Sequence, residues 1–186
     1  MRESEWAAVL DAAARLQRLV PDAVLVGGSA AALHAQHRVS YDDHVVEDLR
    51  SRFDDVLDAL EDSQGWVTAR LRRPVLILGS LDGVETGVRN LIRTRPLEVE
   101  SIDVPAGTLR VPTLAEMSRI KAWLCLIRNA TRDYLDVVAL ADRLGLPVAA
   151  DVLLGLDDYY QDQRGPAGSG SAPRSPSSSP SPRRVT

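Results

Sequence analysis

The sequence is short of cysteine, lysine and long apolar runs, and each shortage closes off a class of protein. A single cysteine, Cys125, among 186 residues excludes an internal disulfide and predicts a cytoplasmic setting. No stretch approaches the roughly 20 apolar residues of a membrane-spanning helix, so no membrane association is expected. The first residues, MRESEWAAVLDAA, lack the basic-then-apolar layout of a signal peptide. The three-glycine dinucleotide fingerprint is also missing, which disfavours a cofactor-binding turn of that kind. Excess positive charge is absent too, the net charge being -4. The last 22 residues hold three arginines and no acid, leaving 19 basic against 26 acidic groups, or about -7, on the remainder. An acidic body argues against broad, nonspecific nucleic-acid binding. Of the 22 Lys and Arg residues only Lys121 is a lysine, which singles out that position.

What is present centres on residues 23–44, AVLVGGSAAALHAQHRVSYDDH. Ala23 to Val26 reads as a short buried strand. Gly27, Gly28 and Ser29 break it, and the alanine-rich Ala30 to Ala35 has strong helix propensity. A strand, a glycine turn and a helix start present free N–H groups and a positive dipole end to an anion, and the Ser29 hydroxyl adds a donor. Asp42, Asp43 and His44 follow within one loop. Phosphate cradle and clustered carboxylates together predict a nucleoside triphosphate and metal site. A Gly-Gly turn also serves packing alone, and Asp42-Asp43 also suits a solvated loop or a helix N-terminus.

In chain order, Glu3 to Val20 is expected to form an amphipathic helix, with Trp6, Leu10, Ala13, Leu16 and Val20 on one face. Val45 to Leu60 has helical spacing at Val45, Leu49, Phe53, Val56, Leu57 and Leu60. Trp66 to Leu71 and Val75 to Leu78 predict a hairpin, and Leu81-Asp82-Gly83 a turn. Val88, Leu91 and Ile92 favour a short helix within Val84 to Ile92. Leu97 to Val104 alternates as a strand, Leu109 to Val111 adds another, and Thr113 with Glu116 marks a capping box opening the helix Leu114 to Arg128. Two further helices are expected at Arg132 to Leu144 and Val148 to Tyr160. The division expected is a domain over 1–162, with a sheet part to about 112 and a helical part over about 113–162. A disordered Pro/Ser/Gly-rich tail over 163–186 follows. No internal repeat is visible, and the class is α+β, a mixed sheet with packed helices.

Nucleotidyl transfer needs carboxylate-held metal ions and cations on the phosphates. Glu98 and Glu100 lie two apart on an alternating strand, with Asp103 nearby; an acid from a neighbouring strand completes such a metal cage. The alternative for these glutamates is a solvated strand face. Lys121 falls in a stripe with Leu114, Met117, Leu124 and Arg128, where a desolvated ammonium needs a carboxylate or phosphate partner. Asp133 and Asp136, one turn apart on the next helix, are the candidates. If Val84 to Ile92 is helical, Arg89 and Arg93 face together and join Arg95 as contacts for an RNA acceptor, with a solvated face as the alternative.

GGSAAALHAQHR followed by Ser and Asp, the acidic PLEVES, and VPTLAEMSRIKAWLCLIRNATRDYLDVVAL together resemble the AbiEii-type nucleotidyltransferases, toxin components of bacterial toxin–antitoxin and phage-abortive systems. The resemblance covers residues 23 to 142. It implies a polymerase-β-like nucleotidyltransferase fold and transfer of a nucleotide from NTP with Mg2+ (or Mn2+) to RNA, tRNA or protein, with a cognate antitoxin as partner. It further implies nucleotide binding by Gly27, Gly28, Ser29, Lys121 and Asp136. Metal binding by Asp42, Asp43 and Glu98 is implied, with catalytic roles for Asp42, Asp43, Lys121 and Asp133. The chain departs from the family's Ser-x-Asp-x-Asp, reading Ser40-Tyr41-Asp42-Asp43-His44. Adjacent aspartates on a regular strand face opposite ways. A β-bulge restoring the site, an Asp/His pair binding another metal, or an impaired site acting as a nucleotide- or partner-binding module all remain open. An unrelated α/β domain with a structural glycine turn is the further alternative.

Overall fold

The computed structural model describes residues 3–36, 44–93 and 95–160. Asp42 and Asp43, and the stretch from 161 onward, lie outside the described residues.

The chain opens with helix α1 (Glu3–Leu19), followed by a two-residue strand β1 (Val24–Leu25) and helix α2 (Gly27–Ala35). The glycines do not form a separate turn: they are the first residues of α2 itself, directly after Val26. Strand β2 (His44–Val46) then leads to α3 (Phe53–Glu61), β3 (Trp66–Arg72), β4 (Leu76–Leu81) and β5 (Val84–Asn90). These strands form a mixed sheet in the order β1-β2-β5-β4-β3. β2 runs antiparallel to β1 and parallel to β5. A separate hairpin joins β6 (Val99–Val104) to β7 (Gly107–Pro112). Helices α4 (Leu114–Arg128), α5 (Thr131–Leu144), α6 (Leu146–Leu154) and α7 (Leu156–Tyr160) complete the described chain.

Three expectations change. The helix expected over Val45 to Leu60 begins only at Phe53. His44, Val45 and Val46 are all buried between two strands, where β-branched residues fit and ladder hydrogen bonds outcompete helical ones. Leu49 keeps its place in the apolar pattern because it is buried in the intervening turn. The short helix favoured within Val84 to Ile92 is instead the strand β5. Asp82 and Gly83, both at positive φ, close a two-residue hairpin pairing Leu81 with Val84, and this turns the chain back along β4. Finally, the last helix divides at Gly155, so that Leu156 and Tyr160 pack on Trp123.

One core cluster lies between the sheet and α1 and α3, built on Leu16, Leu49, Leu60, Ile77, Leu81 and Val88. A second joins α1, α2, β7, α4 and α5 through Leu10, Ala30, Leu109, Met117 and Leu140. Each fully buried leucine or isoleucine contributes about 1.5–3 kcal/mol. The second cluster binds the helical half to the sheet, and so places α4 beside the start of α2.

Packing between β4 and β5 leaves no room at Gly87, where a Cβ would stand 2.4 Å from the Ile77 carbonyl oxygen. A backbone atom in mid-sheet cannot step aside. Gly87→Ala should therefore lose about 1–3 kcal/mol in urea unfolding. Gly155→Ala, with nothing within 4 Å of the added methyl, should stay within about 0.5 kcal/mol of the parent.

Candidate functional site

The site begins where β1 ends. Val26 is extended, Gly27 takes φ 85, and the chain enters α2 at once. A side chain at Gly27 would be strained in that conformation, so glycine is the residue that allows the abrupt strand-to-helix change. The helix start carries no acid and no side-chain cap, leaving its first N–H groups without a capping side chain.

Gly27 opens onto a cavity of about 260 Å3. Val45 of β2, Arg89 and Asn90 of β5, and Arg93 just beyond that strand also line it. From the helical half come Lys121, Trp123 and Tyr160. Gly27 and Lys121 thus line one cavity, and Gly28 and Ser29 are not among its lining residues. Gly28 and Ser29 are buried. Ser29 lines a different, very small cavity with Val9, Ala13 and Thr86.

Lys121 is 3% exposed. Its Nζ stands 2.8 Å from Asp136 Oδ2 and 3.5 Å from Asp133 Oδ1. Both aspartates are themselves buried. Thr131–Leu144 is helical, so positions 133 and 136 fall one turn apart and converge on one amine.

A second charged cluster caps the first turn of α4. The Thr113 hydroxyl accepts from the Glu116 amide at 3.2 Å, which is half of the expected capping box. The Glu116 carboxylate does not reach back; it accepts from Arg93 Nη1 and, at 2.7 Å, from Arg119. Arg119 also pairs with Glu98 at 2.9 Å, and the Tyr159 hydroxyl donates to Glu98 at 3.3 Å.

Glu98 therefore does not stand on a strand next to β2, where a completing acid was expected. β6 pairs with β7 in another sheet, whereas β2 has β1 and β5 as neighbours. Opposite His44, Val45 and Val46, β5 presents Val88, Arg89 and Asn90, with no acid among them. Glu100 is 3.9 Å from His34, and Asp103 accepts from the Thr108 hydroxyl. Among the described residues no group of three His, Cys, Asp or Glu side chains is arranged to hold a metal ion.

His44 is fully buried. Burial pushes its imidazole down to about 3, so it is neutral near pH 7. Neither ring nitrogen has a hydrogen-bond partner among the described residues. It is not among the residues lining the cavity at Gly27, whereas Val45, on the opposite face of β2, is. Arg93, expected on an exposed helical face with Arg89, is instead inside, its side chain 1% exposed.

The sequence reading also passed over the aromatic wall. Trp123 and Tyr160 stack with centroids 4.6 Å apart and planes 5° from parallel. Ile120, Trp123, Leu124 and Ile127 recur at the three-and-four spacing of a second apolar stripe on α4, which is the pattern that would have revealed it.

Removing one partner of a buried ion group strands the other charge. Asp136→Ala, which leaves Lys121 with only the more distant Asp133, should cost about 3–5 kcal/mol in urea unfolding. Asp133→Ala should cost less, since the 2.8 Å contact to Asp136 survives.

No family model matches the chain. It is 32% identical over 183 residues to the heme uptake protein MmpL11 of Mycobacterium tuberculosis, an alignment covering 83% of this chain and 17% of that protein. The mycolic acid-containing lipids exporter MmpL11 of Mycolicibacterium smegmatis is 38% identical over 69 residues, covering 37% of this chain and 7% of its own length. The chain thus spans less than a fifth of the curated relatives it matches. In structure it is similar to the antibiotic-resistance factor ANT(2'')-Ia in solution, with TM-score 0.61 at 8% identity over 84% of this chain and 94% of that one. The crystal structure of ANT(2'')-Ia with adenylyl-2''-tobramycin gives TM-score 0.59 at 9% identity, over 81% and 96% of the two chains. An antigenic nucleotidyltransferase-like protein from Paracoccidioides brasiliensis gives 0.57 at 16% identity, over 85% and 89%. The α+β architecture, with its mixed sheet and packed helices, is therefore the nucleotidyltransferase fold.

Proposed function

We propose that the protein is a metal-dependent nucleotidyltransferase that moves a nucleotide from NTP to an acceptor hydroxyl. The observation that carries this reading is the shared cavity, lined both by Gly27 at the uncapped start of α2 and by the buried Lys121. Helix N-terminal amides bind phosphate oxygens through direct donation and the helix dipole. Lys121, held by Asp133 and Asp136, orients toward that anion without swinging away. Gly27 and Gly28 supply the cradle, and Ser29 is buried behind them.

Asp42 and Asp43 immediately precede β2 in sequence and offer hard oxygen donors suited to Mg2+ or Mn2+. A divalent ion held by that pair would supply charge neutralisation on the phosphates. The acceptor oxygen bonds to the α-phosphorus, its proton passes to a carboxylate of the pair, and pyrophosphate leaves. Glu98, paired with Arg119, stands in this reading as a support for α4 and not as a metal ligand. The AbiEii-like motifs favour an RNA, tRNA or protein acceptor and a cytoplasmic toxin restrained by an antitoxin. Transport, as named for the MmpL11 proteins, is not proposed: among the described residues no helix is long and apolar enough to cross a membrane.

A second reading is a nucleotide-binding module without transfer, and the acid-free register of β5 beside β2 favours it. Incubating the purified chain with α-32P-labelled NTP, Mg2+ and cellular RNA separates the two. The enzyme reading expects labelled RNA or protein, reduced by two or more orders of magnitude in Asp42→Ala and Asp43→Ala variants that melt normally. NTP binding with no labelled product would establish the module. Growth arrest on expression, abolished by the same substitutions, tests the toxin role.

A further inference from the structure

Helix α5 is built inside out. The side it turns to the protein carries Asp133, Asp136 and Leu140, all buried. Its opposite side carries Tyr134, Leu135 and Val138, which are 48%, 55% and 68% exposed. A surface helix ordinarily does the reverse, with its apolar stripe on the core and its charges in water. Lys121 accounts for the buried carboxylates and leaves the exposed stripe to be explained. The stripe is not an isolated case. Of the eleven large apolar side chains exposed among the described residues, eight lie within 126–154, on α4, α5 and α6. A concentration of this kind marks an interaction surface. The Tyr134 hydroxyl donates to Asn129 Oδ1 at 2.9 Å, which holds the ring in place while leaving it half-exposed.

The charges bordering the stripe indicate what covers it. Arg132, near the start of α5, and Asp142, near its end, are both exposed. Neither has an ion pair or hydrogen bond among the described residues. The helix rise sets them about 15 Å apart along the axis. A second copy of α5 laid antiparallel across the first, about a two-fold axis near position 137, brings Arg132 of each copy opposite Asp142 of the other. Guanidinium and carboxylate then pair at both ends, and Tyr134, Leu135 and Val138 meet between them. Parallel pairing would set like charge against like. The end of the chain is a poor cover for the stripe, since residues 165–186, GPAGSGSAPRSPSSSPSPRRVT, hold Val185 as their one large apolar residue. An anionic lipid surface is met by basic residues, and Asp142, one turn past Val138, opposes it.

We propose that the chain forms a two-fold symmetric dimer by antiparallel packing of α5 on α5 of a second copy, closed by an Arg132–Asp142 pair at each end. α5 has 14 residues and is about 21 Å long, so the contact is small and the dimer dissociates in the micromolar range.

Sedimentation velocity of the full chain between about 1 and 500 μM tests it. The mass should rise with concentration from that of the 20.2 kDa monomer toward twice that value. Leu135→Glu combined with Val138→Glu should leave a monomer at every concentration. Both positions are exposed, so this variant should keep the parent's melting temperature when both are measured dilute. Arg132→Asp and Asp142→Arg should each weaken association about tenfold or more, and the two combined should recover it to within about twofold of the parent. This charge-reversal arm does not depend on the glutamate variant folding. A monomer throughout the range overturns the proposal, and flotation of that monomer with phosphatidylcholine–phosphatidylglycerol vesicles would give the face to a membrane instead. A dimer that persists in the glutamate variant uses another face and overturns it as well. Failure of the combined charge reversal to recover association overturns the antiparallel arrangement, and the assignment with it.

Discussion

The ammonium of Lys121, sealed between Asp133 and Asp136, is the constraint on which the rest of the site depends. Moving an ammonium out of water costs several kcal/mol, and a close carboxylate pair offsets it only when the geometry is good. That requirement locks α4 and α5 together in one register, since the two aspartates must stand one turn apart beneath one side chain. An apolar trio of similar volume would hold two helices at least as firmly. What the ions add is a positioned charge on the wall of the cavity that Gly27 also lines.

From that fixed helix the other parts of the cavity follow. Its first turn holds Glu116, which gathers Arg93 and Arg119. Two residues beyond Lys121, Trp123 stacks on Tyr160 and draws α7 over the same space. The cavity is thus lined by the start of α2, a buried lysine and an aromatic pair.

Much of this was legible in the residues. The lone lysine in an arginine-rich chain, the aspartates at 133 and 136, and the glycines after a β-branched run each carry their chemistry locally. So do the Asp82-Gly83 hairpin and the Thr113 cap. What escaped the sequence depends on partners far along the chain. Val45 and Val46 have helical spacing with Leu49 and Phe53, and only the presence of β1 and β5 on either side makes them a strand. Arg93 belongs to a short basic run that looks solvated until Glu116 and α7 fold over it. Glu98 alternates as a strand acid should, yet it falls just before β6, which belongs to a different sheet, and Arg119 pairs with it. Pairing across the sheet and between its two halves, not local propensity, decided each of these cases.

The central claim is that the glycine turn and Lys121 grip the same phosphate chain. An amide chemical-shift titration of 15N-labelled protein with a non-hydrolysable NTP in the presence of Mg2+ tests this most directly. The account predicts that the largest shifts fall at Gly27 and Gly28, with the Lys121 ammonium responding over the same concentration range. Shifts confined to the opposite face of the sheet, around α3 and β3, with residues 27, 28 and 121 unmoved, would contradict it.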